Sequence, residues 1–370
     1  MRFCPPGARH TWPAVVTNFL ALGKPRKVSQ CSPIAQAASG EWIVQRGAQL
    51  KGVQVTAAAR LHLGFLDLAG DLGREFGSIG LAIDAFETRV QLREAPSFEV
   101  LGKERERSAR LARRIAESLG LDADKQLIVA SAIPAHAGLG SGTQLALAIA
   151  AAFRMLAGLP LNPREDARLL DRGARSGVGV ALFERGGLGV DAGRGPTTEV
   201  PPVVAGAKFP RDWRILLILD PRVEGAHGVA ETRAFAQLPP FPADAAGEIC
   251  RRTLMQVLPG AAERDLEAFG EGIERIQDIV GDHFALAQGG GRFASVAVAR
   301  VAQRLKALGA HGIGQSSWGP TGFAFASDPD HAERLVRGAR AECEPGVEIK
   351  ICEARDHGAE VSEEEDVSIP

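Results

Sequence analysis

The chain has 370 residues, 45% of them hydrophobic and 24% charged, which is material for two globular domains and excludes a disordered or collagen-like chain. A net charge of −2 excludes the strongly basic surface of a nucleic-acid binder, so an anionic ligand needs a local basic site. The five cysteines (Cys4, Cys31, Cys250, Cys343, Cys352) form no Cys-x-x-Cys pair, and no apolar run reaches about 18 residues, which points to a reducing cytoplasm, no structural zinc and no membrane span.

Residues 1–51 read as a poorly ordered extension. Positions 1–50 hold six Lys/Arg and one acidic residue, Glu41, without periodic apolar positions. An organelle transit peptide is the alternative, but no amphipathic helix supports it. Strands are expected at 53–59, 79–83, 88–93 and 98–101. Residues 104–119 are amphipathic and helical, with Gly120 as the stop. A strand at 126–133 feeds a glycine-rich loop and then an apolar helix at 144–156. A helix at 163–172 precedes a Gly-rich stretch at 173–195. The Pro/Gly-rich segment 197–211 divides a first domain, 52–205, from a second, 206–355. The second domain opens on an apolar strand at 213–219. Helices follow at about 243–258, 262–287 and 296–308. A strand–loop–strand at 312–326, a helix at 328–343 and a strand at 347–353 complete it. The acidic run 360–366 makes 356–370 a solvated tail. Elements in this irregular order predict an α+β fold of two domains rather than a doubly wound sheet.

The loop, Ile133-Pro134-Ala135-His136-Ala137-Gly138-Leu139-Gly140-Ser141-Gly142-Thr143, is the most informative segment. Glycines let the backbone approach a ligand, and a helix N-terminus adds about half a positive charge. Strand, loop and helix together suit an anion, most often phosphate. His136, Gly138, Leu139, Gly140, Ser141, Gly142 and Thr143 are therefore candidate phosphate-binding residues, with Ser141 and Thr143 as hydroxyl donors or helix caps. The plainer reading is a tight strand-to-helix turn. No Gly-Lys-Ser/Thr follows, so this is not a Walker A loop.

Arg60 and His62 share one face at strand spacing. Arginine grips phosphate or carboxylate, and histidine moves protons near neutral pH. A solvent-facing edge strand is the alternative. Arg175 is a further candidate cation, and Asp191 is either a catalytic carboxylate or the end of a hairpin. In the turn Gln315-Ser316-Ser317-Trp318-Gly319-Pro320, Trp318 either stacks on an aromatic ligand or packs in the core.

The Pro-x-x-x-Gly-Leu-Gly-Ser loop before an Ala-rich helix resembles the phosphate loop of the GHMP superfamily (galactokinase, homoserine kinase, mevalonate kinase and relatives). The resemblance implies a two-domain GHMP-kinase-like fold, with a ribosomal-S5-like N-terminal domain and a ferredoxin-like C-terminal domain. The kinases carry Ser-Gly-x-Asp and then a Gly pair. Ser176, Gly177, Gly186 and Gly187 match, but Gly179 stands at the aspartate position. Arg60-Leu61-His62-Leu63-Gly64-Phe65, Phe76-Gly77-Ser78-Ile79-Gly80, the 176–187 segment, residues 283–290 and the Gly314–Pro320 turn together resemble the β-ribofuranosylaminobenzene 5′-phosphate synthases. These are a non-kinase branch of that superfamily.

That resemblance runs over about residues 53–354 and implies a transferase of tetrahydromethanopterin biosynthesis. Phosphoribosyl pyrophosphate condenses with 4-aminobenzoate, and carbon dioxide and pyrophosphate leave. It further implies Arg60, His62, Arg175 and Asp191 as catalytic residues, and Gln315, Ser316, Ser317, Trp318 and Gly319 against the substrate. Mg²⁺ is implied and ATP is not required; the metal ligands are unassigned. The expected partners are small molecules and a second copy of the chain in a homodimer, with no nucleic acid and no membrane. An ATP-dependent small-molecule kinase is the alternative, and a non-catalytic ligand sensor is a third reading.

Overall fold

The computed structural model describes residues 34–36, 42–44, 51–226 and 228–363. The extension expected at 1–51 lies almost entirely outside these residues. What is described of it is two short strands, β1 (Ile34–Gln36) and β2 (Trp42–Val44), paired antiparallel.

β3 (Gly52–Asp67) begins where a strand is expected but runs eight residues further. The reason is strict alternation. Val53, Val55, Ala57, Ala59, Leu61 and Leu63 are all fully buried on one face, so every even position lies on the other. Arg60 and His62 are among those even positions. The strands expected at 79–83 and 88–93 are one bent strand, β4 (Phe76–Glu94), antiparallel to β3. Ile83 faces Ala59 and Glu87 faces Ala58, so Asp84, Ala85 and Phe86 bulge outward and hide the continuity.

β5 (Glu99–Gly102) leads into α1 (Arg105–Leu119), which stops at Gly120 in the left-handed conformation, φ 64°. β6 (Lys125–Ser131) precedes the glycine loop and α2 (Ser141–Leu156). α3 (Pro163–Leu169) follows, and the buried Arg154 of α2 donates to Asp166 of α3 at 2.7 Å. The Gly-rich stretch holds an unexpected helix, α4 (Val178–Arg185), then β7 (Leu188–Asp191); β8 (Val203–Ala207) follows in the Pro/Gly-rich segment.

In the second domain, β9 (Arg214–Leu219) is followed by α5 (Gly228–Gln237), a helix the sequence reading missed. α6 (Ala243–Arg252), a π-helical turn, α7 (Leu258–Glu263) and α8 (Leu266–Ala285) come next. α9 (Val296–Ala307), β10 (His311–Gln315), β11 (Gly322–Ala326), α10 (Pro329–Ala339) and β12 (Glu348–Cys352) complete it.

The expectation of a solvated acidic tail is corrected. Glu360–Glu363 is a strand, β13, paired antiparallel with β3, and Val361 is buried opposite Val55. Its carboxylates face water while its valine fills the core, which is period-two patterning in an acidic disguise.

The first sheet has the order β13-β3-β4-β6-β5, with β7 on the first half of β4 and β8 beyond it. The second sheet, β10-β11-β9-β12, is wholly antiparallel. α9 and α10 cover one face of it, through Val298, Val301 and Leu335 against Leu216 and Ile218. Its other face joins the first domain. Leu61 and Leu63 of β3 share one cluster with Ile215 and Leu217 of β9 and Phe269 and Ile276 of α8. Each such side chain contributes roughly 1.5–3 kcal/mol by leaving water. The seam between the domains is therefore core, and the glycine loop sits at its rim.

Candidate active site

Three segments far apart in sequence meet at the glycine loop. Gly138 has φ 77°, and a Cβ there would lie 2.2 Å from the Ser316 carbonyl oxygen, so only glycine fits. The Gly138 carbonyl accepts from Arg60 Nη1 at 2.8 Å and from Ser316 Oγ at 2.7 Å. Ser316 Oγ in turn accepts from the His62 backbone N–H at 3.0 Å. Arg60 N–H donates to the Leu139 carbonyl at 3.1 Å, and Ser317 N–H donates to the His62 carbonyl at 3.3 Å. Loop, strand β3 and the 315–320 turn form one clasp. His136 sits just before it at φ 55°, and Leu139 turns its side chain into the core.

α2 begins earlier than expected, at Ser141. Its N-cap is Gly140, with φ 81° and no side-chain cap, so Ser141 and Thr143 do not cap it as proposed. No acidic residue occupies its first turn. The positive helix end thus stays uncompensated from within the helix.

The site's polar interior is unusual. Arg60 Nε, His62 Nε2 and Trp318 Nε1 are buried without a hydrogen-bond partner. Each such orphan costs about 1–3 kcal/mol. Burial lowers the Arg60 pKa to about 10, against the pull of Glu231, and the group stays protonated at neutral pH. Burial, helped by the Arg60 charge, lowers the His62 pKa to about 3. His62 is therefore a neutral imidazole that can donate from one nitrogen and accept at the other.

This shift has a measurable consequence. Between about pH 3 and 6.5 the unfolded chain binds a proton at His62 that the folded chain refuses. The stabilising contribution is complete above the ordinary value and is lost as pH falls. At pH 5 wild type is expected to be destabilised by about 2 kcal/mol relative to neutral pH through this residue. A His62→Asn protein lacks that component, so denaturant titrations at pH 7 and pH 5 should separate the two. Parallel pH dependences would mean that His62 protonates normally in the fold.

An aromatic cluster encloses these groups. Phe235, carried by α5, lies against Phe65, Phe76, Phe284 and Trp318, with ring centroids 5.2–6.1 Å apart. Arg175 pairs with Glu231 of α5 at 2.9 Å, and its guanidinium lies 5.0 Å above the Phe235 ring. α5 therefore closes over the site. Its contribution was not legible because nothing in the sequence links 231–235 to 60–62. A cleft lined by His62, Phe65, Gln277, Phe284, Gln315 and Ser317 opens alongside. A roomier hollow at Asp84, Arg214, Lys350 and Glu353 lies away from the loop and contains none of these groups.

Several expected roles change. Trp318 is 3% exposed and stacks on Phe284 at 4.5 Å, so its face is spent on the protein and only its N–H remains unpaired. Gln315 braces the turn rather than a ligand. Its oxygen accepts from Ala294 N–H at 2.7 Å, and its amide donates to Gln288 and the Ser317 carbonyl. Gly319, at φ 71°, packs on Gln315, and Ser316 is the clasp. Of the five, Gln315 and Ser317 line the cleft. Asp191 is fully buried and is not a free base. Its carboxylate accepts from Gly177, Val178 and Gly193 N–H at 2.9, 3.2 and 2.8 Å, while burial pushes its pKa up. It anchors the start of α4.

That anchoring sets the position of Gly179. Its carbonyl accepts from Gln144 of α2 at 2.9 Å, and a Cβ there would lie 3.2 Å from Thr143. The residue standing for the kinase aspartate therefore faces the glycine loop, with no carboxylate to offer.

Two family patterns match the chain. GHMP kinases N terminal domain matches residues 107–187, and GHMP kinases C terminal matches residues 257–345. The beta-ribofuranosylphenol 5′-phosphate synthase of Archaeoglobus fulgidus is 34% identical over 328 residues, covering 84% of this chain and 99% of that protein. The protein of the same name from Methanothermobacter thermautotrophicus is 33% identical over 327 residues, covering 82% and 97%. Among solved structures, a homoserine kinase from Cytophaga hutchinsonii superposes with TM-score 0.60 at 17% identity, covering 85% of this chain and 98% of its own. Mevalonate diphosphate decarboxylase from Staphylococcus aureus gives 0.60 at 16% identity, covering 84% and 98%. The last two establish the two-domain GHMP fold. No helix among the described residues is long and apolar enough to cross a membrane.

Proposed function

The chain belongs to the beta-ribofuranosylphenol 5′-phosphate synthase family, a branch of the GHMP superfamily, and from that premise we propose how its site works. The enzyme joins phosphoribosyl pyrophosphate to a para-substituted benzoate in tetrahydromethanopterin biosynthesis, in the cytoplasm. The bond from ribose C1 to the pyrophosphate oxygen breaks, and positive charge develops at C1. The ring carbon bearing the carboxylate attacks C1 and forms the C–C bond. The carbon–carboxylate bond then breaks, its electron pair restores the aromatic ring, and carbon dioxide leaves. No oxidant and no nucleotide is required.

The relatives' name carries a phenol, whereas the sequence resemblance implies an aminobenzene product. The two differ in one ring substituent, and hydroxyl and amino groups both push electron density to the attacked carbon. The acceptor is 4-hydroxybenzoate or 4-aminobenzoate.

The observation that carries this reading is Gly179 against Thr143. Phosphoryl transfer to an alcohol in these kinases uses a carboxylate there, and this chain has none. Conversely, Arg60 supplies a buried cation for a phosphate or carboxylate, and neutral His62 supplies a donor without adding charge beside developing positive charge at C1. Phe65 and Phe284 line the narrow cleft beside His62 and Ser317. Among the described residues, no three acidic, histidine or cysteine side chains converge. Mg²⁺ enters this reading only as the counter-ion of the pyrophosphate substrate.

Purified protein with Mg²⁺, phosphoribosyl pyrophosphate and each carboxyl-labelled acid should release labelled carbon dioxide, equally with or without ATP. The preferred acid identifies the product. ADP formation with an alcohol acceptor and no carbon dioxide would restore the kinase alternative.

A further inference from the structure

We propose that the aromatic acid binds in the seat that Phe235 and Glu231 of α5 occupy, so that α5 is a built-in stand-in for that substrate and withdraws when it binds. The identity of the acid rests on the reaction proposed above; the seat itself does not.

The cleft beside His62 holds only about 20 Å³. One water needs roughly 10–15 Å³, so a benzoate does not enter this cleft as it stands. A ring is nevertheless accommodated next to it. Phe235 lies 5.2 Å from Trp318, 5.6 Å from Phe284, 5.9 Å from Phe76 and 6.1 Å from Phe65, edge-on to each. Those four rings belong to the 315–320 turn, α8, β4 and β3, and they join the core between the domains. They form a seat for one aromatic ring.

Glu231 stands one helical turn before Phe235, on the same face of α5. Its carboxylate meets Arg175 at 2.9 Å, and that guanidinium lies 5.0 Å from the centre of the Phe235 ring. α5 therefore presents a ring and a carboxylate, side by side, to four rings and an arginine. A para-substituted benzoate presents the same two groups. The Glu231 charge also reaches the buried Arg60, whose pKa it raises against burial. Exchanging Glu231 for the carboxylate of the acid replaces one anion by another and keeps the charge balance around both arginines.

α5 is lightly held, and the groups beneath it are unfinished. The side chains of the Arg175–Glu231 pair are 33% and 27% exposed, and ion pairs open to water are weak. Val229 of the same helix is 70% exposed. His62 and Trp318 are each 3% exposed and adjoin the seat, yet His62 Nε2 and Trp318 Nε1 have no hydrogen-bond partner. A phenylalanine ring offers them nothing. A hydroxybenzoate or aminobenzoate carries polar groups at both ends of its ring.

If α5 fills the seat, the apparent affinity for the acid is reduced by the fraction of molecules in which α5 is withdrawn, and loosening α5 tightens binding. Calorimetric titration of 4-hydroxybenzoate and 4-aminobenzoate into wild type, Glu231→Gln, Phe235→Ala and the double variant Glu231→Gln/Arg175→Gln tests this. Thermal melts of each unliganded protein accompany it. Both single variants are expected to bind the preferred acid about tenfold more tightly than wild type, at one site per chain. Phe235→Ala changes no charge, so tightening there comes from the vacated seat and not from electrostatics. The double variant should bind about tenfold or more weakly than Glu231→Gln, because the arginine that grips the carboxylate is gone. Single variants that bind no more tightly than wild type make α5 a fixed wall and overturn the stand-in. A second binding site appearing in Phe235→Ala marks a newly made cavity and overturns it too. Carbon dioxide release is measured separately. Its absence from wild type, with the tightening observed, would overturn the reaction and keep the seat.

Discussion

An Arg60→Ala enzyme is expected to lose at least about tenfold to a hundredfold in kcat/KM for phosphoribosyl pyrophosphate, from loss of one charge-assisted contact worth about 1.5–3 kcal/mol. The loss should exceed that figure, because Arg60 has two duties. Its Nη1 ties the Gly138 carbonyl, and its Nε is a buried donor without a partner. Arg60→Lys separates them. A lysine keeps the charge but lacks the planar fork, so it should recover stability better than turnover. Circular dichroism melts and initial rates on both variants check this. Wild-type rates in Arg60→Ala would make the residue a strand-face arginine and nothing more.

Gly138→Ala is expected to be the most damaging single-methyl change in the site. The added carbon meets the Ser316 carbonyl oxygen at 2.2 Å, and the residue must hold φ 77°. Backbone cannot yield as a flexible side chain can. The loop must move off the 315–320 turn, breaking the bonds from Ser316 Oγ and Arg60 to the Gly138 carbonyl. Binding of the phosphorylated substrate should fall below detection, with destabilisation of about 1–3 kcal/mol. Gly158→Ala, beyond the far end of α2, is the control for left-handed strain, since φ 68° strains it too but its Cβ would meet nothing. If both variants bind alike, strain alone is responsible and the clasp is not.

The sequence revealed the glycine loop, its strand and its helix, because glycine spacing and apolar runs are local signals. It also revealed the empty carboxylate position at Gly179, because motif alignment needs no three-dimensional information. The Arg60/His62 face was readable from period-two spacing alone. Orientation was not. Trp318 and Gln315 lie on a turn whose side chains could face either way, and only the packing of Phe284 and the Ala294 N–H decides. Asp191 fails for the same reason, since three backbone donors claim its carboxylate. α5 escaped because its apolar face is addressed to residues from four other segments. Charge misled at 360–363, where three of four residues are polar and the fourth, Val361, decides the structure.

That C-terminal strand has a consequence for how the protein comes into being. β13 completes the sheet of the first domain at β3, yet the entire second domain is synthesised between them. The domain that leaves the ribosome first is thus the last to be finished. Until residue 363 emerges, the β3 edge, from Val53 to Thr56, stays open, with unpaired backbone groups beside a valine-rich face. Through that interval the nascent chain presents a template for strand addition by other molecules, and the final acidic strand serves as the covering that ends it.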